Sequence, residues 1–183
     1  MSDPSAREWH PGRRAAIFMN VVAVVLLAVG ILVYGLAWSG EQNRSFRITG
    51  VGLLLAVVTT LILTLALMLI HEGIHGLAIV CSGGTARFGV TMIARVMPAF
   101  YCTAPEKRFT RTQYIAIGLA PLLTLGVGCG IAVALAPFGG WLVLPSAVHL
   151  SGCAGDIAMV WVAARQPRGT TIEDLQTGVR FWN

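Results

Sequence analysis

Long charge-free runs alternate with short polar segments along this chain, and that spacing predicts membrane-crossing helices. Ala15 to Trp38 carries no charged residue. A span needs about 20 apolar residues, and a cleaved signal peptide has an apolar region of only about 7–15, so a retained helix is expected here. Ile48 to Val80 is apolar apart from one cluster of His and Glu, and Gly83-Gly84 marks its end. It is too long for one upright span, so the cluster falls toward its far end. Tyr114 to Phe138 and Trp141 to Ala163 complete the set, with Pro137, Gly139 and Gly140 in the turn between them. Pro121 near the start of the third run is tolerable in a membrane helix. Gly126 and Gly130 form a small-residue pair that allows close helix packing.

Thr85 to Gln113, between runs two and three, reads differently. Phe88, Val90, Met92, Phe100 and Cys102 partly alternate, which predicts one or two short strands punctuated by Pro98 and Pro105. The expected fold is an all-α polytopic membrane protein. It has about four transmembrane helices, at about 15–38, 48–80, 114–138 and 141–163, and a short membrane-associated β segment between spans two and three. Residues 15–164 form a single transmembrane domain, with polar tails at 1–14 and 165–183.

Composition agrees. The 183 residues are 56% hydrophobic and 11% charged, against about 25% charged in a soluble domain. The net charge of +5 does not indicate a nucleic-acid partner, because the basic residues flank the apolar runs. Eleven of the 13 Lys and Arg fall in the N-tail, the 85–113 segment and the C-tail; Arg44 and Arg47 are the other two. The positive-inside rule then places both termini and the central loop in the cytoplasm. The expected location is the cell membrane, most simply a bacterial inner membrane, with the lipid bilayer as a constant partner. Anionic lipid is the expected contact of the basic loop. Cys81, Cys102, Cys129 and Cys153 form no C-x-x-C pair and read as reduced, semi-apolar residues.

The chemistry lies in the second run. Three of the four histidines (His71, His75, His149) and two of the eight acids (Glu72, Asp156) occur in otherwise apolar segments. Ionisable groups at membrane depth cost several kcal/mol and usually serve a function. His71-Glu72-Gly73-Ile74-His75 spells H-E-x-x-H. On a helix, residues i and i+4 share a face, so both histidines can hold one metal ion. Glu72 stands beside them as the catalytic residue, a general base toward the water that such a metal activates. One zinc per chain is expected.

A catalytic zinc usually has three protein ligands. Counting back from Ala163 at 1.5 Å per residue, Asp156 lies about 10 Å deep and His149 about 21 Å. Counting back from Val80, His71 lies about 14 Å deep and His75 about 8 Å. Asp156 is therefore level with the pair and is the expected third ligand, rather than an acid held by Ser151 or a backbone group. His149 is expected to support the site from behind or to pack, and is the alternative ligand. Gly73, Gly76, Gly152 and Gly155 are expected to permit close helix approach.

These residues resemble a known group. The motif His71-Glu72-x-x-His75-Gly76 late in an apolar helix is joined by Pro98-Ala99-Phe100-Tyr101-Cys102, by Ala120-Pro121, and by Ser151-Gly152-Cys153-Ala154-Gly155-Asp156-Ile157. Together, over roughly residues 65 to 162, they resemble the zincin peptidase family of small bacterial membrane proteins, which in turn is similar to the site-2 proteases. The resemblance implies His71, His75 and Asp156 as zinc ligands and Glu72 as base. It also implies membrane-associated strands that hold substrate in extended form, in the place of Phe88, Val90, Phe100 and Tyr101. The expected function is an intramembrane zinc metalloprotease that cuts a membrane-protein or peptide substrate in or beside the cytoplasmic leaflet. The alternative is a non-catalytic metal-binding membrane protein for transport or sensing. A transport path would need polar residues spaced through the bilayer, and the outer half offers His149 and a few hydroxyls.

Overall fold

The computed structural model describes residues 6–39, 50–93, 97–175 and 178–182. It is mostly helical, and among the described residues four helical stretches are long and apolar enough to cross a membrane: Arg13–Ser39, Val51–Cys81, Arg111–Leu135 and Gly140–Ala164. The first three are single helices, α1, α2 and α3. Large apolar side chains stand exposed along them, for instance Val24, Leu32, Leu54, Leu61 and Leu123, which is the surface that lipid would cover.

Local chemistry sets the helix ends. At the C-terminus of α2, Gly83 adopts φ +78°. Its N–H donates to the Val80 carbonyl at 2.9 Å and that of Gly84 to Ile79 at 2.9 Å. This is the paired 5→2 and 6→1 pattern of a glycine-terminated helix. The start of α3 corrects the expectation of Tyr114 to Arg111. Thr110 and Gln113 cap each other: the Thr110 N–H donates to Gln113 Oε1 at 3.0 Å, and the Gln113 N–H to Thr110 Oγ1 at 3.3 Å. Such a reciprocal box satisfies two otherwise unpaired donors and fixes the first turn. The same helix ends at Leu135, short of the expected Phe138, because the residue before Pro137 is pushed out of helical geometry.

The fourth stretch is not one continuous helix. Gly140–Gly152 (α4) is followed by a turn at Cys153 and then by Ala154–Ala164 (α5). The Cys153 N–H is shared between the carbonyls of His149 and Leu150, both at 3.3 Å, a tightening typical of helix ends. The expected straight run from His149 to Asp156 therefore crosses a helix break.

The chain forms two compact units. One comprises Asn20–Ile70 and Leu122–Ala154. Its core is Tyr34, Cys129, Val133 and Ala147, and Tyr34 donates its hydroxyl to the Gly126 carbonyl at 3.1 Å. Gly126 and Gly130 present their bare backbone to Tyr34, so the small-residue pair does pack against another helix.

The other unit comprises Met1–Met19, His71–Pro121 and Gly155–Asn183. It contains the expected hairpin: β2 (Arg87–Ile93) and β3 (Met97–Thr103) pair antiparallel, with Phe88 opposite Cys102 and Val90 opposite Phe100. It also contains a sheet that the sequence reading did not anticipate. Strands β1 (Ala6–Trp9), β4 (Arg108–Thr110), β5 (Thr171–Leu175) and β6 (Gly178–Trp182) form an antiparallel sheet in the order β1-β6-β5-β4. One rung places Glu8, Arg180, Glu173 and Arg108 side by side with alternating charge. Arg180 reaches Glu8 at 2.6 Å and Glu173 at 3.1 Å. Because side chains alternate across a strand, the opposite face carries Phe109, Ile172, Val179 and Phe181. All four are buried in one core with Ile79, Ile117 and Ala163.

Candidate metal centre

The last three turns of α2, the start of α3 and the start of α5 meet in the second unit. His71 and His75 lie one turn apart on α2, their ring centroids 4.8 Å apart at 77°. Both rings are buried. Asp156, in the first turn of α5, faces both. Its Oδ2 lies 3.2 Å from His71 Nε2 and its Oδ1 3.3 Å from His75 Nε2. The structure thus brings together the three residues expected as ligands.

The arrangement suits a tetrahedral metal. Ligand atoms about 2.0–2.2 Å from a shared zinc sit roughly 3.3–3.6 Å from one another, close to the spacings seen. The donor set of two imidazoles and one carboxylate is that of a catalytic zinc with an open position. One further observation speaks for an ion. Asp156 Oδ2 is fully enclosed yet meets no hydrogen-bond geometry, despite the nearby His71 nitrogen. A buried carboxylate oxygen without a hydrogen bond is costly, and a cation placed between it and the imidazole lone pairs would satisfy both. His75 is held from behind: Nδ1 lies 3.0 Å from the Ile117 carbonyl oxygen. A carbonyl can only accept, so Nδ1 carries a proton there and Nε2 is the ring nitrogen left to face Asp156 and, with zinc bound, to supply the ligand lone pair.

Glu72 and His75 line a cavity of about 560 Å³, together with Asp156, Tyr101, Cys102 and Asp174. Cys102, on β3, lies beside the Glu72 carboxylate and lines the same cavity. Burial, with Glu72 and Asp174 nearby, pushes the Cys102 thiol up to about 12. Cys102 is therefore a neutral thiol, and Cys81 is exposed.

Phe100 and Tyr101 line the cavity. Phe88 and Val90 are exposed; the Phe88 ring occupies the space left by the missing side chain of Gly76. Gly76 therefore admits a strand side chain, which corrects the expected helix approach there. Nothing described lies near the position of a Gly73 side chain. Gly152 is approached by Met68 and Gly155, less closely, by Met19. Ser151 donates to the Ala23 carbonyl at 2.9 Å. His149 is fully buried, with its Nε2 3.9 Å from Cys153 Sγ.

Asp174 was missed in the sequence. It lies on β5, on the inward face with Ile172, and Tyr114 donates a hydroxyl hydrogen bond to its Oδ1 at 3.2 Å. The available signal was the period-two pattern of Ile172, Asp174, Val179 and Phe181. Burial pushes its carboxyl up to about 6, with Asp156 acting in the same direction and Tyr114 and His75 against it. An acid whose folded value exceeds its unfolded value of about 3.9 binds more protons when folded, so its contribution to stability is lost as pH rises from about 4 to 6. Asp174→Asn is expected to remove up to about 3 kcal/mol of that decline. Thermal unfolding of both proteins from pH 4 to 7 measures it, and identical slopes would contradict the assignment.

No curated protein and no solved structure matches the chain. A family model does match, over residues 64–171, more than half of the chain and inclusive of His71, Glu72, His75 and Asp156. By that match the chain belongs to the family described as putative zincin peptidases.

Proposed function

We propose that this protein is an intramembrane zinc metalloprotease of the site-2 type, cutting peptide bonds in or beside the cytoplasmic leaflet. The observation that carries the reading is the convergence of His71, His75 and Asp156 beside a cavity into which Glu72 also faces. His71, His75 and Asp156 would hold the zinc. When bound, zinc polarises the scissile carbonyl and acidifies a water molecule. Glu72 takes the proton from the attacking water and delivers it to the leaving amine. Asp156 balances cationic charge, and the Ile117 carbonyl keeps the His75 ring in place.

A transmembrane substrate hides its backbone in its own helical hydrogen bonds and must unwind to be cut. In an antiparallel strand, the N–H and C=O of one residue point to the same side. Among the described residues β3 pairs only with β2, and Cys102 on it lies beside Glu72. The outer edge of β3 thus offers backbone groups beside the base, where an extended substrate could pair.

The reading is tested by reconstituting the protein in liposomes with a single-span peptide substrate. Cleavage within the apolar segment, stopped by a chelator and restored by zinc, is expected; turnover that survives complete metal removal would contradict it. The leaflet is tested separately. A cysteine at position 107 should be labelled from the cytoplasmic side and one at position 41 from outside, given the split of basic residues. Position 107 reachable only from outside would reverse the topology.

A further inference from the structure

We infer that Pro121 is a positioning residue for His75: by lacking an N–H, it frees the Ile117 carbonyl to hold the imidazole. The inference deepens the metal-centre reading and rests on it for its effect on zinc.

Helix α3 runs unbroken through Pro121. In an α-helix the N–H of residue i bonds the carbonyl of residue i−4. For position 121 that acceptor is Ile117. Proline has no N–H, and its ring pushes against the same carbonyl. Ile117 and Pro121 are both buried, and a buried carbonyl left without a donor is costly. The donor that fills the vacancy is His75 Nδ1, at 3.0 Å. The bond keeps a proton on Nδ1 and fixes the ring so that Nε2, the nitrogen that would bind zinc, stands 3.3 Å from Asp156 Oδ1. A proline 46 residues away in sequence thereby holds the ring of a residue in the H-E-x-x-H helix.

Pro121→Ala returns an N–H that competes for the carbonyl and lets it swing back along the helix axis. The Nε2-protonated form of His75 should then gain population, visible in the ring ¹⁵N shifts of histidine-labelled apo protein. Zinc affinity should fall roughly 10–100-fold, the range for losing a ligand's supporting hydrogen bond. Helix content should not fall. Lactic acid at position 121, introduced as a backbone ester, lacks both the ring and the N–H; it should keep the wild-type tautomer and affinity. Pro145→Ala, in α4, should leave both unchanged. Two results overturn the inference: a wild-type His75 tautomer and zinc affinity in Pro121→Ala, or an ester variant that has lost the wild-type tautomer. The ester arm decides the matter if Pro121→Ala does not fold. A wild-type protein that binds no zinc would defeat the metal reading instead, and the apo tautomer comparison would still stand.

Discussion

Asp156→Ala is expected to release zinc and abolish peptide hydrolysis. The carboxylate is the anionic donor set against the two imidazoles, with oxygens 3.2 and 3.3 Å from their Nε2 atoms. Without it, two neutral ligands on one helix would have to hold a divalent cation in apolar surroundings, where an uncompensated charge is very costly. The loss should exceed the roughly 10–100-fold typical of changes behind the ligands. Asp156→Asn keeps an oxygen donor but not the charge and should fall between. His149→Ala should leave zinc bound, with at most that 10–100-fold loss. Competition with a chromophoric chelator measures all three. Asp156→Ala holding zinc within tenfold of wild type, or His149→Ala losing it entirely, would exchange the two roles.

Glu72→Gln should separate binding from catalysis. Glu72 lies next to His71 in sequence, but it lines the cavity, beside Cys102. The amide keeps the shape and cannot accept the proton of the attacking water. General acid–base catalysis contributes roughly 10²–10⁴-fold, and hydrolysis should fall at least that far while zinc stays stoichiometric. If Glu72→Gln loses zinc as badly as His75→Ala does, Glu72 is a ligand and the mechanism fails.

The apolar architecture and the centre of the site could be read directly because lipid imposes a severe constraint. The charge-free run from Ala15 to Trp38 is longer than a buried core helix uses and matches the thickness of a bilayer. An acid at membrane depth stands out against such a background. That is why Asp156 could be matched in depth to His71 and His75, and the structure brings the three together even though the counted helix breaks at Cys153. What escaped depends on partners distant in sequence. Strand β1 has four residues and pairs with β6 at the other end of the chain, so no local turn announces it. Asp174 sits where the alternation calls for an apolar residue, which made Thr171–Leu175 look like a polar tail. The Thr110–Gln113 box was legible in principle, but the break in apolar character at Gln113 masked it.

The central claim is that His71, His75 and Asp156 hold one zinc. Zinc K-edge X-ray absorption on the zinc-loaded wild-type protein tests it most directly. The account predicts one zinc per chain, with only nitrogen and oxygen donors at about 2.0–2.2 Å and outer scattering from two imidazole rings. A sulfur scatterer near about 2.3 Å, a third imidazole, or a failure to retain stoichiometric zinc would contradict it.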